Sequence, residues 1–375
     1  MRITDVRIDG FRNLSKVDLS PGAGVNILFG ENAQGKTNLL EAVWLASGEK
    51  SFRGAKEREE IGFDSENAQI SVDFESSERT QNISLTISRR RGERKILLNG
   101  VRLRSYSELT GKLLLVIFTP EDLWLTRGTP EIRRDYIDLC IAQIRPVYKR
   151  LVLKYEGILE QRNTLLKNIV LGISKRDELE IWDEQLARQG SYISMMRGIY
   201  TKLLEAEASR LYSQISRGLE RLELEYSSTV FESLERRTDY KGEMAAEYLE
   251  KLRLSRPEDI RLGYTQIGIH RDDILVKING VLLRDYGSQG QNRSAALCMK
   301  LAQARALLAE TGEMPVILLD DVLSELDRHR REFVVRQIGD AQIFITCCEP
   351  FIKTSGRVFK ISGGKVMEKE KRKDG

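Results

Sequence analysis

Cysteine, histidine and proline are scarce in this chain of 375 residues, which holds four, two and seven of them. The cysteines, Cys140, Cys298, Cys347 and Cys348, show no C-x-x-C spacing, so neither a zinc site nor a disulfide framework is supported and a reducing compartment is expected. Long apolar runs are missing as well. None approaches the roughly 20 residues that span a bilayer, and Met1-Arg2-Ile3-Thr4-Asp5 lacks the apolar core of a signal peptide, so the expectation is a soluble, cytoplasmic protein with no membrane partner. There is little excess of one charge: 60 Lys and Arg against 56 Asp and Glu leave +4, short of what a dedicated nucleic-acid domain carries. With 41% hydrophobic residues, the length leaves room for two or three cores.

What is present is a phosphate cradle. Gly30-Glu31-Asn32-Ala33-Gln34-Gly35-Lys36-Thr37 reads G-x-x-x-x-G-K-T, after the strand-like Val25-Asn26-Ile27-Leu28-Phe29 and before the helix-like Asn38 to Leu45. The glycines let the backbone curl so that its N–H groups face the β-phosphate of ATP, where the positive end of the following helix adds its field. Lys36 supplies a mobile charge for the β- and γ-phosphates, and the Thr37 hydroxyl is placed to ligate Mg²⁺.

A second stretch, Val316-Ile317-Leu318-Leu319-Asp320-Asp321, reads as a buried parallel strand that delivers a carboxylate at its C-terminal end. Asp320 is the expected metal partner, directly or through water, and Asp321 the group that orients or deprotonates the attacking water. Lys36 and Asp320 stand near opposite ends of the chain, so something is inserted between them. A third stretch, Ser288-Gln289-Gly290-Gln291, precedes a helical run from Asn292 to Glu310, and a serine and a glycine there make a second phosphate-binding helix end. One chain cannot easily use both ends on the same nucleotide.

Periodicity gives the organisation. Short strands alternate up to Leu28, and Gln69 to Phe74, Ile83 to Ser88 and Lys95 to Leu98 read as an antiparallel flap. Ile96 to Tyr106 and Val276 to Tyr286 share an Asn-Gly turn of the type I′ hairpin kind, which turn chemistry explains without duplication. From about Glu131 to Pro257 the chain turns helical. Leu151, Tyr155, Ile158, Leu165 and Ile169, with Arg162 interrupting, form one apolar seam; Trp182, Leu186, Ile193, Met196, Tyr200, Leu203 and Leu211 form another. Two such helices suggest an antiparallel hairpin. The expected division is residues 1–130 and 258–375 as a split α/β head and 131–257 as an inserted, mostly helical lobe.

Basic clusters at Arg89-Arg90-Arg91 with Arg94-Lys95, at Arg133-Arg134, at Arg145 with Lys149-Arg150, and at Arg236-Arg237 are candidate phosphate contacts, although acids are interspersed. The loop from Gly48 to Gly62, with Lys50, Arg53, Lys56 and Arg58, covers the nucleotide or touches DNA, and spacing does not choose between them.

Ser-x-Gly-Gln before a helix, a strand ending in Asp-Asp, and then Ser324-Glu325-Leu326-Asp327 follow the order of signature motif, Walker B and D-loop in ABC-type ATPases. With Phe11-Arg12-Asn13-Leu14 and Gly268-Ile269-His270-Arg271-Asp272-Asp273, nearly the whole chain resembles the bacterial RecF family, relatives of SMC proteins. The resemblance implies an ABC-type head with an antiparallel flap. It also implies an ATP-clamped homodimer in which Gly30 to Thr37, Asp320 and Asp321 of one copy meet Ser288, Gly290 and Gln291 of the other. Its implied setting is single- and double-stranded DNA junctions and gaps, where such proteins act with RecR and RecO to load RecA. The implied activity is a weak, DNA-stimulated ATPase.

Asp321 stands where most ABC ATPases carry Glu, so slow turnover is expected. Cys347-Cys348 stands where a switch histidine is usual, and Phe118-Thr119-Pro120-Glu121-Asp122 offers Glu where a glutamine loop is usual. An ABC-type ATPase of a non-DNA assembly is the alternative. A transport subunit would usually keep the glutamine and histidine, and a small-molecule kinase would lack the Ser288 motif.

Overall fold

Three strands without a single exposed residue, Leu115–Phe118 (β8), Val316–Asp320 (β12) and Ile343–Cys347 (β13), form half of a six-stranded sheet. Such unbroken buried runs belong to parallel sheets covered on both faces. Val25–Phe29 (β3), Arg357–Ser362 (β14) and Lys365–Glu368 (β15) complete it in the order β15-β14-β3-β13-β12-β8, with every pair parallel except β14 with β15. The computed structural model describes residues 1–90, 94–235, 237–349 and 356–368. These divide into two units, Met1–Asp122 with Lys300–Gly375, and Leu123–Met299.

The first unit also holds an antiparallel sheet. Arg2–Phe11 (β1), Leu14–Leu19 (β2), Asn67–Glu75 (β4), Thr80–Ser88 (β5), Arg94–Leu98 (β6) and Val101–Arg102 (β7) run in the order β2-β1-β4-β5-β6-β7. Alternating burial along β4 and β5 matches the flap expected from period-two spacing. Buried Gln342 fastens β1 beside the parallel sheet, accepting from Ile3 N at 2.7 Å and donating to Ile3 O and Gly22 O at 2.8 Å each. Helix Lys36–Leu45 (α1) buries eight of its ten residues. The turns at Asn99-Gly100 and Asn279-Gly280 both carry positive φ, 51° and 78°, and 50° and 78°, as a type I′ hairpin requires.

The second unit contains Trp124–Arg127 (α2), Pro130–Ile144 (α3), Pro146–Val170 (α4), Leu179–Ile215 (α5), Glu243–Leu262 (α6) and Leu283–Tyr286 (α7). A small sheet of Leu222–Ser227 (β9), Asp273–Ile278 (β10) and Val281–Leu282 (β11) packs on α5. That sheet carries the unit beyond the 131–257 lobe expected from helical periodicity, because β9 pairs with β10 and holds residues past 257 in the same body. Helix Gln289–Thr311 (α8) begins in this unit and ends in the other; Arg328–Ile338 (α9) lies in the first.

The α4–α5 hairpin has the expected seam with two corrections, the first being that Leu204 is buried where Leu203, only half-buried, was expected. The second is that Arg162 does not interrupt the seam: the side chain is fully buried, its Nε donating to Asp183 at 2.6 Å and its Nη1 to Asp259 and Thr265 at 2.8 Å each. Helical spacing put a cation on an apolar face, and carboxylates from α5 and α6 compensate it there. The Gly268 to Asp273 segment is likewise tied down. Asp272, wholly buried, accepts from Tyr226 and from Thr229 N at 2.7 Å, while Arg133 grips Asp273 with two bonds of 2.7 and 2.9 Å.

Candidate functional site

The C-terminal ends of β3, β12 and β13 meet in one place, and the chain leaves β3 there as the loop from Gly30 to Gly35. A Cβ on Gly30 would lie 2.2 Å from Ile361 O, and one on Gly35 2.7 Å from Leu14 Cδ2, so both positions require glycine. Gly35 has φ 112° and Ala33 φ 63°, the latter costing about 1 kcal/mol for a residue with a side chain. Ala33 is held by Asn13, whose Nδ2 donates to its carbonyl at 2.9 Å. Gln34 is pinned to the β14–β15 turn, accepting from Gly363 N at 2.6 Å and Gly364 N at 3.3 Å. Glu31 and Asn32 are exposed.

Lys36 is buried, and its ammonium donates to Gly30 O at 2.5 Å and Glu31 O at 2.9 Å, so the loop is already curled around the charge a phosphate would meet. Thr37 Oγ1 donates to Asp320 Oδ1 at 2.9 Å. The two residues expected to share a metal are thus brought together from opposite ends of the chain. Burial raises the Asp320 carboxyl above its ordinary 3.8, against the lowering pull of the Thr346 and Thr37 hydroxyls. Asp321 has left-handed backbone, φ 53°, and its Oδ1 lies 2.9 Å from Ser324 Oγ.

The signature segment lies in the second unit. Its helix starts at Gln289, three residues before the expected Asn292, because Ser288 and Gln291 form a reciprocal cap. Ser288 Oγ accepts from Gln291 N at 3.2 Å, and Gln291 Oε1 accepts from Ser288 N at 2.8 Å. Ser288 is exposed and Gly290 half-buried. Gln291 also donates to Glu220 at 2.7 Å.

Where a switch histidine would stand, the Cys347 thiol is buried and pushed up to about 11 by burial, while exposed Cys348 donates to Asn32 Oδ1 at 3.2 Å. At the glutamine-loop position Glu121 is exposed, and Asp122 accepts from Thr119 N at 2.8 Å and faces Lys300 at 3.4 Å.

Several residues that spacing did not single out support the site. Arg12 donates to Glu41 of α1 through two bonds, 2.7 and 3.1 Å, and Glu41 is completely buried. Thr346 touches both Asp320 and Asp321. The signal for Arg12 was its place in Phe11-Arg12-Asn13-Leu14, which carried no role of its own, and for Thr346 only its place as the polar residue of a buried strand.

The basic clusters are mostly engaged within the protein. Arg94 pairs with Glu57 at 2.8 Å and Glu60 at 2.6 Å, Arg90 with Glu66 at 3.0 Å, and Arg237 with Glu247. Arg89 donates to Gly62 O at 2.7 Å and Arg145 to Tyr200 at 3.0 Å. Arg133, 3% exposed, is spent on Asp273 and is no phosphate contact. Arg134 donates to Asp272 O at 2.8 Å, and burial lowers its pKa. Arg91 and Arg236 lie outside the described residues. Two acid-free stretches stand out instead: 94–107, with Lys95, Arg102 and Arg104 exposed, and 145–155, with Arg150 and Lys154 exposed.

Residues 2–368 match the family model of the RecF/RecN/SMC N-terminal domain. A protein of Thermoanaerobacter pseudethanolicus called DNA replication and repair protein RecF is 39% identical over 371 residues, covering 98% of this chain and all of that one. Its namesake in Agathobacter rectalis is 36% identical over 363 residues, 96% of each chain. A solved structure of the recombination mediator protein RecF with ATP in the RecFOR pathway superposes with a TM-score of 0.92 at 38% identity, covering 98% of both chains. An SMC head bound to part of ScpA shares the fold at 15% identity and a TM-score of 0.57. A phosphate loop, a capped signature helix and an Asp-Asp strand in this order, with these relatives along nearly the whole length, mean that the chain belongs to the bacterial RecF family.

Proposed function

We propose that the chain is an ATP-operated DNA clamp of recombinational repair and replication. The Gly30 to Thr37 loop takes the phosphates of ATP, and Lys36 exchanges its carbonyl partners for the β- and γ-phosphate oxygens. The observation that carries this reading is the Thr37–Asp320 contact at 2.9 Å beside a loop already wrapped around Lys36. The donors there suit Mg²⁺, which favours oxygen ligands and keeps several waters, so one hydroxyl and one carboxylate suffice. The ion, when bound, neutralises charge on the phosphates. Asp321 orients the attacking water, and as the shorter carboxylate it does so slowly, making hydrolysis a timer. DNA speeds that step.

Ser288, Gly290 and Gln291 of a second copy close over the γ-phosphate, which makes ATP the glue of a homodimer. DNA is gripped in the closed state, single- and double-stranded segments meeting at gaps and junctions, through the acid-free basic stretches. The setting we propose is the cytoplasm, where the chain acts with RecR and RecO to load RecA; what supports it is a relative named as a recombination mediator in the RecFOR pathway. No helix among the described residues is long and apolar enough to cross a membrane. The non-DNA assembly is disfavoured by relatives named for DNA replication and repair that match along nearly the whole length.

Sedimentation velocity of Asp321→Asn tests the clamp, with Mg-ATP, with ADP and without nucleotide, each with and without a gapped duplex. The expected result is a dimer with ATP alone, strengthened by DNA. A monomer under every condition overturns it.

A further inference from the structure

Hydrolysis requires a metal-holding carboxylate and a water-orienting carboxylate to keep fixed places relative to each other, and two adjacent aspartates at the end of a strand do not guarantee that. One hydroxyl ties them here. Thr346, on β13 directly opposite Asp320 in the parallel register, is 2% exposed. Its Oγ1 donates to Asp320 Oδ1 at 2.8 Å and accepts the backbone N–H of Asp321 at 2.9 Å. A hydroxyl has one proton, so the first bond takes the donor and the second a lone pair; Leu319 O, at 3.5 Å, is left as the weaker choice. Asp320 Oδ1 therefore receives two hydroxyls, from Thr346 and Thr37, which leaves Oδ2 as the oxygen to turn toward a cation.

The second bond bears on Asp321. Its left-handed backbone, φ 53° and ψ 10°, is held from one side by Thr346 at the amide and from the other by Ser324, which donates toward its carbonyl at 2.6 Å. The same strand end reaches the phosphate loop. Gly30 N donates to Cys347 O at 3.3 Å, and the Cys348 thiol donates to Asn32. A movement of β13 by a fraction of an ångström would be felt by the loop, the metal carboxylate and the water carboxylate together.

We propose that Thr346 is a positioning residue for ATP hydrolysis, its one buried hydroxyl setting Asp320 for the metal and the backbone of Asp321 for the water. This rests on the reading of the site as a magnesium-dependent ATPase. In a chain with cysteines at the switch-histidine position, the strand end that carries Thr346 links the phosphate loop to the two carboxylates.

The test compares Thr346→Val, which keeps the shape and removes the hydroxyl, with Thr346→Ser, which keeps the hydroxyl. Hydrolysis is followed at saturating ATP while Mg²⁺ is titrated, and binding of a fluorescent ATP analogue is measured separately. The expected outcome for Thr346→Val is a kcat lower by roughly ten- to hundredfold and a higher Mg²⁺ concentration at half-maximal rate, with analogue affinity little changed. Thr346→Ser should recover both. Wild-type rate and metal dependence in Thr346→Val would overturn the proposal, as would Thr346→Ser failing alongside it, since the loss would then be one of packing. A wild-type chain that binds ATP and does not hydrolyse it overturns the reading of the site as well.

Discussion

Replacing Arg12 with methionine removes the partly exposed half of an ion pair whose other half, Glu41, is buried midway along the phosphate-loop helix. Glu41 has no exposure to water and accepts two bonds from Arg12, so it stays behind as a charge in a dry place. Breaking such a pair from one side costs about 3–5 kcal/mol when nothing else compensates. Something does here: Ser51 Oγ donates to Glu41 at 2.5 Å, and Arg53 stands 3.8 Å away with half its side chain exposed. The expected loss is therefore smaller, about 2–3 kcal/mol. Asn13, next to Arg12, holds the strained Ala33 of the phosphate loop, so ATP affinity should fall too, by roughly tenfold for about 1.4 kcal/mol lost there.

The assay is urea unfolding read by Trp44, which is buried on α1, in a Trp124→Phe, Trp182→Phe background so that only the first unit reports. Two units need not unfold together, which makes a local probe necessary. Adding Glu41→Gln to Arg12→Met removes the stranded charge and should restore about 1 kcal/mol. If Arg12→Met unfolds within about 0.5 kcal/mol of its parent, or if Glu41→Gln restores nothing, the ion pair does not hold the helix in the way described.

Because burial raises the Asp320 carboxyl, its stabilising contribution is complete below its unfolded value of 3.8 and is lost as the pH rises through the folded value. Asp320→Asn should thus raise the thermal midpoint of the nucleotide-free protein at pH 7 while abolishing magnesium-dependent hydrolysis. His270 behaves oppositely: burial lowers its pKa from 6.5 to about 4, so its contribution is complete above 6.5 and lost as the pH falls toward 4. Between pH 7.5 and 5 it accounts for about 2 kcal/mol of lost stability, a dependence that His270→Gln should remove in chemical unfolding at the two pH values. For DNA, reversing charge at Lys95, Arg102 and Arg104, or at Arg150 and Lys154, should lower the slope of log affinity against log salt by about 0.9 for each phosphate no longer neutralised, leaving ATP binding intact. Slopes equal to wild type in both variants would place the DNA elsewhere.

The site was legible in the sequence to the extent that its chemistry is local. Gly30 to Thr37 is contiguous, and the glycines that the loop geometry demands are the same ones that mark it in sequence. The strand ending at Asp320 announced itself by four apolar residues in a row. Arg162 shows the opposite case: on helical spacing it is a flaw in a seam, and it becomes part of the core only because Asp183 and Asp259, from two other helices, arrive beside it. The basic clusters failed for the same reason in reverse, since Arg133 and Arg94 looked available until Asp273, Glu57 and Glu60 were seen to hold them.

Sequence alone determined what can be written in a short window: the phosphate loop, the capped signature helix, the Asn-Gly hairpins and the periods of strand and helix. Each depends on backbone geometry set by a few neighbouring residues. Tertiary structure alone decided which charges are buried and paired, and that one threonine from a neighbouring strand holds both aspartates. Those outcomes depend on which distant segments share a dry interior, where a hydrogen bond or ion pair gains its strength and an unpaired group becomes costly.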